Sequence, residues 1–363
     1  MHLKHLALFV LLPFTITGQH AFSQNQLILL QPSGDQGGTF AYNLAPDGSY
    51  VAGDLNLSPN GARAHRWSTS GAAMNLGLLH GNGSSIAYSV SNGGGVVVGD
   101  SFTSATGVNE AFRWTPSDGM QGLGFLPGFT QSFANDVSAD GTTIVGASSI
   151  SGSGQAFRYT VNEGMQPLIT MPGNYVFATG QAVSADGSVI AGHTETSFGS
   201  YRTFRWTAQT GMVDLGFGGD VGDISSDGSI IVGGTGAGPF KWTQAGGLMM
   251  LPLNDGIATG VTANGMTIVG NGQFGQSGPD LPFIWDPQMG LRQLQSYLQT
   301  EVGLNLGGFS ITSVQSISDD GRVIAGFGQA GSFNRGFVAI VPCPMVSLVP
   351  FMVLWSKTRR RDA

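Results

Sequence analysis

The sequence predicts an all-β fold: a seven-bladed β-propeller of four-stranded repeats, about 45 residues each, closed by an N-terminal strand. Three observations carry this expectation. A turn motif recurs seven times along the chain, and two strand motifs follow it at similar offsets. The array ends one strand short and begins with one to spare.

The turn motif is clearest at Ala134-Asn135-Asp136-Val137-Ser138-Ala139-Asp140-Gly141-Thr142-Thr143-Ile144-Val145-Gly146. Its glycine recurs as Gly48, Gly94, Gly141, Gly187, Gly228, Gly265 and Gly321, so the spacing runs from 37 to 56 residues. Alternating apolar runs on either side of an Asp-Gly pair read as a β-hairpin. A third strand follows at Ala111-Phe112-Arg113-Trp114, Ala156-Phe157-Arg158-Tyr159 and Thr203-Phe204-Arg205-Trp206, with weaker copies at His65, Phe240, Phe283 and Phe337. A fourth begins with Gly119-Met120, Gly164-Met165, Gly211-Met212 and Gly247-Leu248. Four strands in 40–50 residues is one propeller blade.

The seventh unit stops at Phe337–Val341 without its Gly-Met strand, whereas Gln26-Leu27-Ile28-Leu29-Leu30 stands alone at the start. Completing the last blade with the first strand leaves no open sheet edge. The widest spacing contains Leu291–Leu298, whose apolar periodicity predicts a short inserted helix. Composition agrees with this fold. Of 363 residues 58 are glycine, more than twice the usual ~7%, and 41% are hydrophobic, enough for a core. One cysteine excludes a disulfide framework and a multi-cysteine metal site.

The Ala-Phe pairs at Ala111-Phe112 and Ala156-Phe157, with the Ser-x-Asp-Gly turns, make residues 27–341 resemble the HAF-repeat extracellular proteins. Glu110 and Gln155 stand where that family's histidine would be. The resemblance implies a secreted or surface protein with this fold and supplies no mechanism.

Both ends read as processing signals. Residues 1–23 carry Lys4, an apolar run from Leu6 to Phe14, and small residues at Ala21 and Ser23, which predicts a signal peptide cleaved before Gln24. The propeller then spans 24–341. Residues 342–363 continue Val341-Pro342-Cys343-Pro344 into a short apolar segment and the cluster Arg359-Arg360-Arg361. This arrangement resembles a PEP-CTERM sorting tail, although Cys343 replaces that motif's glutamate. The resemblance implies a transmembrane helix, cytoplasmic arginines, a sorting protease as partner and Val341 to Pro344 as its recognition site. The expected location is the cell envelope or exterior, with transient anchoring in the inner membrane.

Candidate chemistry is sparse. Asp47, Asp140, Asp186, Asp227 and Asp320 invite a calcium reading, but an aspartate before glycine also closes its own turn. Gly93 and Asn264 interrupt the series, so turn chemistry is expected. Arg66, Arg113, Arg158 and Arg205, with Lys241, occupy one repeat slot and are expected to bridge blades. His65 replaces a repeat phenylalanine and reads as a packed residue, while His80 and His193 show no ligand spacing. The recurring Trp and Met residues read as core. No catalytic, cofactor-binding or metal residue is assigned, and no cofactor is expected.

Without the termini the chain carries 10 basic and 21 acidic residues. That argues against nucleic acid, and it confines membrane contact to the tail. Two function classes follow. One is a non-catalytic envelope or matrix scaffold that binds a glycan or a surface protein. The other is a secreted enzyme acting on an extracellular polymer at the channel mouth.

Overall fold

The structure, a computed structural model, describes residues 25–31, 37–57, 61–168, 175–275 and 278–342. The leader, Cys343, Pro344, Arg359, Arg360, Arg361 and the apolar tail segment lie outside them. Among the described residues no helix is long and apolar enough to cross a membrane.

Seven four-stranded antiparallel sheets form the blades of a seven-bladed β-propeller. The first consists of Gly38–Leu44, Tyr50–Asn56, Ala62–Ser68 and Ala73–Gly77, from the channel outward. Each blade in turn begins with an inner strand and ends with an outer one. All seven Asp-Gly-type turns therefore share one face, here the turn face, and the opposite face carries the connections between blades.

The ring closes as the surplus strand predicts. Gln26–Leu29 pairs antiparallel with Phe333–Ile340, matching Gln26 to Ile340 and Leu29 to Phe337. Leu30, fully buried, adds a backbone bond from its N–H to Gly336 O. Leu27 and Leu29 pack on the core between the sixth and seventh blades, and Ile28 packs on the core between the seventh and first.

Seven hydrophobic clusters fill the gaps between blades. The third-strand phenylalanine anchors most of them: Phe112, Phe157, Phe204, Phe240, Phe283 and Phe337 are all fully buried. In the first blade His65 takes the slot, buried against Trp67 at a ring distance of 5.2 Å. Of the tryptophans, Trp67, Trp114 and Trp242 are core. Among the methionines of the described residues only Met212 is, and Met120 and Met165 sit at cluster edges. Met74, Met249 and Met250 are exposed on outer strands, and Met266 and Met289 are exposed in turns between strands.

Two glycines show why the motif has its shape. Gly141 sits at φ +74°, the left-handed conformation its turn requires. A Cβ on Gly146 would lie 1.9 Å from Phe133 O, so the inner strand fits against the second only where no side chain intervenes.

The insertion differs from its expectation. Leu291, Arg292 and Gln293 belong to the strand Gly290–Gln293, which pairs with Asp280–Asp286 and completes the sixth blade. Only Leu294–Glu301 is helical, as three α and five π residues. The backbone pairing of the fourth strand outweighs the helical apolar spacing there. Leu294, Leu298, Val302, Leu304 and Leu306 then extend the core toward the seventh blade.

Candidate functional site

Every inner strand carries a β-bulge at the same repeat position. The unpaired residues are Tyr42, Tyr88, Asn135, Gln181, Gly222, Thr259 and Gln315. A bulge re-aims its side chain, and these seven converge on one chamber of the central channel, about 280 Å³ in volume. The residue after the bulge in five blades (Asn43, Ser89, Asp136, Asp223 and Ser316) borders a smaller chamber of about 50 Å³ toward the turn face, closed by Ser226 and Asp319.

Between the chambers the polar groups bind one another across blades. Ser316 Oγ donates to Asn43 Oδ1 (3.1 Å), Asn43 Nδ2 to Ser89 Oγ (3.4 Å), and Ser89 Oγ to Asp136 Oδ1 (2.6 Å). Asp136 also accepts the N–H groups of Val137 and Val183, and Asp223 accepts those of Ile224 and Val261. At the turn face Ser226 Oγ donates to Asp319 Oδ2 at 2.5 Å, spanning from the fifth blade to the seventh. Burial raises Asp136 to about 6 and pushes Asp223 and Asp319 upward as well.

The slot after the second-strand glycine faces the bulge residues. Tyr42 donates its hydroxyl to Asp54 and Tyr88 donates to Asp100, and burial raises both carboxyls to about 6. Burial and the neighbouring carboxylates hold both phenols above their ordinary range. His193 occupies the same slot in the fourth blade. Its Nδ1 lies 3.1 Å from Gln181 Oε1 and 3.0 Å from Asp220 Oδ1. Both partners are acceptors, so Nδ1 carries the proton. The His193 bond holds Asp220 below the ordinary carboxylate range.

The fifth blade breaks the pattern. Gly222 stands at its bulge and Gly234 in the facing slot, and its hairpin Thr235–Gly238 is short. An open cleft of about 720 Å³ lies above it, away from the turn face. Tyr201 of the fourth blade, Asp220 of the fifth, and Asp255 and Ile257 of the sixth form its walls, over a floor of glycines. Gln181 connects the two regions, since it lines the chamber and donates to Asp220 at 3.4 Å.

The turn aspartates behave as turn residues. Asp140 Oδ1 accepts Ser138 Oγ (2.6 Å) and the Thr142 N–H (3.0 Å), and Asp186, Asp227, Asp320 and Asn264 repeat this. Asp47 also reaches the Gly93 N–H of the next blade at 2.9 Å. The cationic slot bridges blades at three positions. Arg66, Arg205 and Lys241 donate to the turn-glycine carbonyls of Gly94, Gly228 and Gly265 on the following blade. Arg158 instead pairs with Glu163 of its own blade at 2.7 Å, and no such bridge forms at Arg113 among the described residues. His80 lies 3.2 Å from Glu110, and Glu301 of the insertion pairs with Arg292. Val341 is buried and donates to Arg322 O, while Pro342 is exposed.

Sequence reading assigned no role to the bulge residues, to Asp54 and Asp100, or to the glycine-opened cleft. Aligning all seven repeats position by position shows these two slots as the variable ones, with Tyr42, Tyr88, Asn135, Gln181, Gly222, Thr259 and Gln315 at the first and Asp54, Asp100, Ala147, His193, Gly234, Asn271 and Phe327 at the second.

No family model matches the chain, and no curated protein matches it. Solved structures resemble it at the level of fold. An oligogalacturonate lyase from Vibrio parahaemolyticus is 10% identical with a TM-score of 0.52, covering 88% of this chain and 97% of that one. TolB from Acinetobacter baumannii is 15% identical with a TM-score of 0.46, covering 67% of this chain, which spans 62% of that protein's length. At these identities the likeness extends to the propeller architecture alone.

Proposed function

We propose that this chain is an exported, non-catalytic scaffold of the cell envelope or matrix that binds its ligand in the cleft above the fifth blade. One observation carries the reading. The slot after the second-strand glycine carries Asp54, Asp100 and His193 in other blades, and at the fifth blade Gly234 stands there and, with Gly219, floors an open cleft. A pre-formed surface cleft with a few polar groups suits a ligand. The leader 1–23 supports export, and the 342–363 tail supports transient retention until a sorting protease acts on it.

The test is a glycan array and a hydrolase and lyase panel run on the exported protein. Binding without turnover is the expected result, and turnover of any polymer would overturn the scaffold reading. A second reading, an enzyme acting on an extracellular polymer, is favoured by the His193–Asp220 pair at the cleft edge, a histidine–carboxylate arrangement suited to proton transfer. Turnover abolished by His193→Ala would establish it.

A further inference from the structure

Resting on the scaffold reading, we infer that the cleft above the fifth blade takes a glycan strand bearing free amino groups. Its floor is main chain. A Cβ on Gly219 would lie 2.5 Å from Gly234 O, and one on Gly234 would lie 2.5 Å from Gly256 O. Strands within the fifth blade, and the fifth blade against the sixth, approach too closely for side chains, so the floor presents peptide groups that suit a hydroxyl-rich ligand.

Tyr201 supplies the apolar contact. It is 44% exposed, and its ring is held edge-on to His193 at 5.2 Å and 68°. His193 is itself fixed by Gln181 and Asp220, so the ring is oriented before any ligand arrives. An oriented aromatic face can stack on the C–H face of a pyranose without a large ordering cost. Phe198, 91% exposed, stands in the same hairpin loop as a second aromatic.

Charge selects among glycans. Among the described residues the ionisable side chains lining the cleft are Asp220, Asp255 and Tyr201, and no lysine or arginine lines it. Carboxylates attract ammonium groups and repel uronates. A basic peptide would satisfy the charge as well, but strand addition needs a free strand edge and helix docking an apolar groove. The cleft is bordered by hairpin ends of fully paired strands, and Ile257 and Tyr201 are its only large apolar side chains.

The experiment is calorimetric titration of the exported protein with four probes: a glucosamine oligomer, its N-acetylated form, an oligogalacturonate and a lysine-rich peptide. The glucosamine oligomer is expected to bind at least tenfold more tightly than the N-acetylated one, with no binding of oligogalacturonate. Gly236→Trp plugs the cleft without strain, since a Cβ there meets nothing within 4 Å, and is expected to abolish binding at unchanged Tm. Should that variant unfold, Tyr201→Ala serves in its place, with an expected loss of tenfold or more. The Asp220→Asn, Asp255→Asn double variant is expected to erase the preference for the free amine. Equal affinity for both oligomers, binding indifferent to the plug, or binding of the peptide alone would each overturn this inference. Binding indifferent to the plug would also move the scaffold's ligand site out of the cleft, the other two results would leave the scaffold reading standing, and turnover of a polymer would overturn it.

Discussion

Asp136 of the third blade accepts the backbone N–H of Val183 in the fourth at 2.8 Å, while its other oxygen takes Ser89 Oγ of the second at 2.6 Å. One carboxyl thus joins three blades. Removing it leaves a buried N–H without an acceptor, at a cost of about 1–3 kcal/mol. Asp136→Ala is expected to lower Tm by several degrees, and Asp136→Asn, which keeps one acceptor oxygen, by less. A thermal melt at pH 7 that does not separate Asp136→Ala from the parent would refute this role.

Raised carboxyls give the fold an unusual pH profile. Asp54 and Asp100 move from an ordinary 3.8 to about 6 because burial penalises their charged form. Their protonated forms favour the folded state, so that contribution is complete below pH 3.8 and lost as pH rises through about 6. Each amounts to roughly 3 kcal/mol. Asp140, Asp186 and Asp227 shift downward and weaken the fold only below pH 3.8. Maximum stability is therefore expected between pH 4 and 6. Tm measured from pH 4 to 8 should fall toward the alkaline end, and Asp54→Asn with Asp100→Asn should flatten that fall. An unchanged slope in the double variant would refute the assignment.

Closure depends on the first strand. A chain starting at Gly37 loses the pairing with Phe333–Ile340 and the buried Leu30. Burial of each such side chain contributes about 1.5–3 kcal/mol, so the shortened chain is expected to melt well below one starting at Gln24, or to aggregate. Leu27→Asp with Leu29→Asp should do the same, whereas Gln31→Asp, at an exposed position just past the strand, should be nearly silent. Equal melting temperatures for the two starting points would count against closure by this strand.

One sequence slot holds two kinds of cation. Lys241 donates to Gly265 O of the next blade at 2.7 Å, but Arg158 pairs with the exposed Glu163 of its own blade. Lys241→Met is expected to cost about 1 kcal/mol or more, and Arg158→Met to stay within about 0.5 kcal/mol, as for exposed ion pairs. Urea midpoints of the two variants compare them directly. An equal loss in both would show that the interblade bond has no special weight.

The sequence by itself determined the blade count, the strand order and the closure. Each blade is local: a turn glycine, a buried phenylalanine and a fourth strand recur at short range, and Gln26–Leu29 matches the one missing position. It also placed the turn aspartates, whose partners, apart from the Gly93 N–H bound by Asp47, lie within a few residues of each carboxylate. Only the tertiary structure decided the rest. Leu291–Gln293 became a strand because the sixth blade needed a fourth one. His193, isolated in sequence, met Asp220 from the next blade, and Asp136 reached residues 47 positions away on either side. The cleft belongs to no single segment. It exists because Gly219 and Gly234 omit side chains where Tyr201, Asp220 and Asp255, from three blades, come together. Backbone pairing within a hairpin is fixed by neighbouring residues, but which side chains share a space between blades is fixed by how the ring packs.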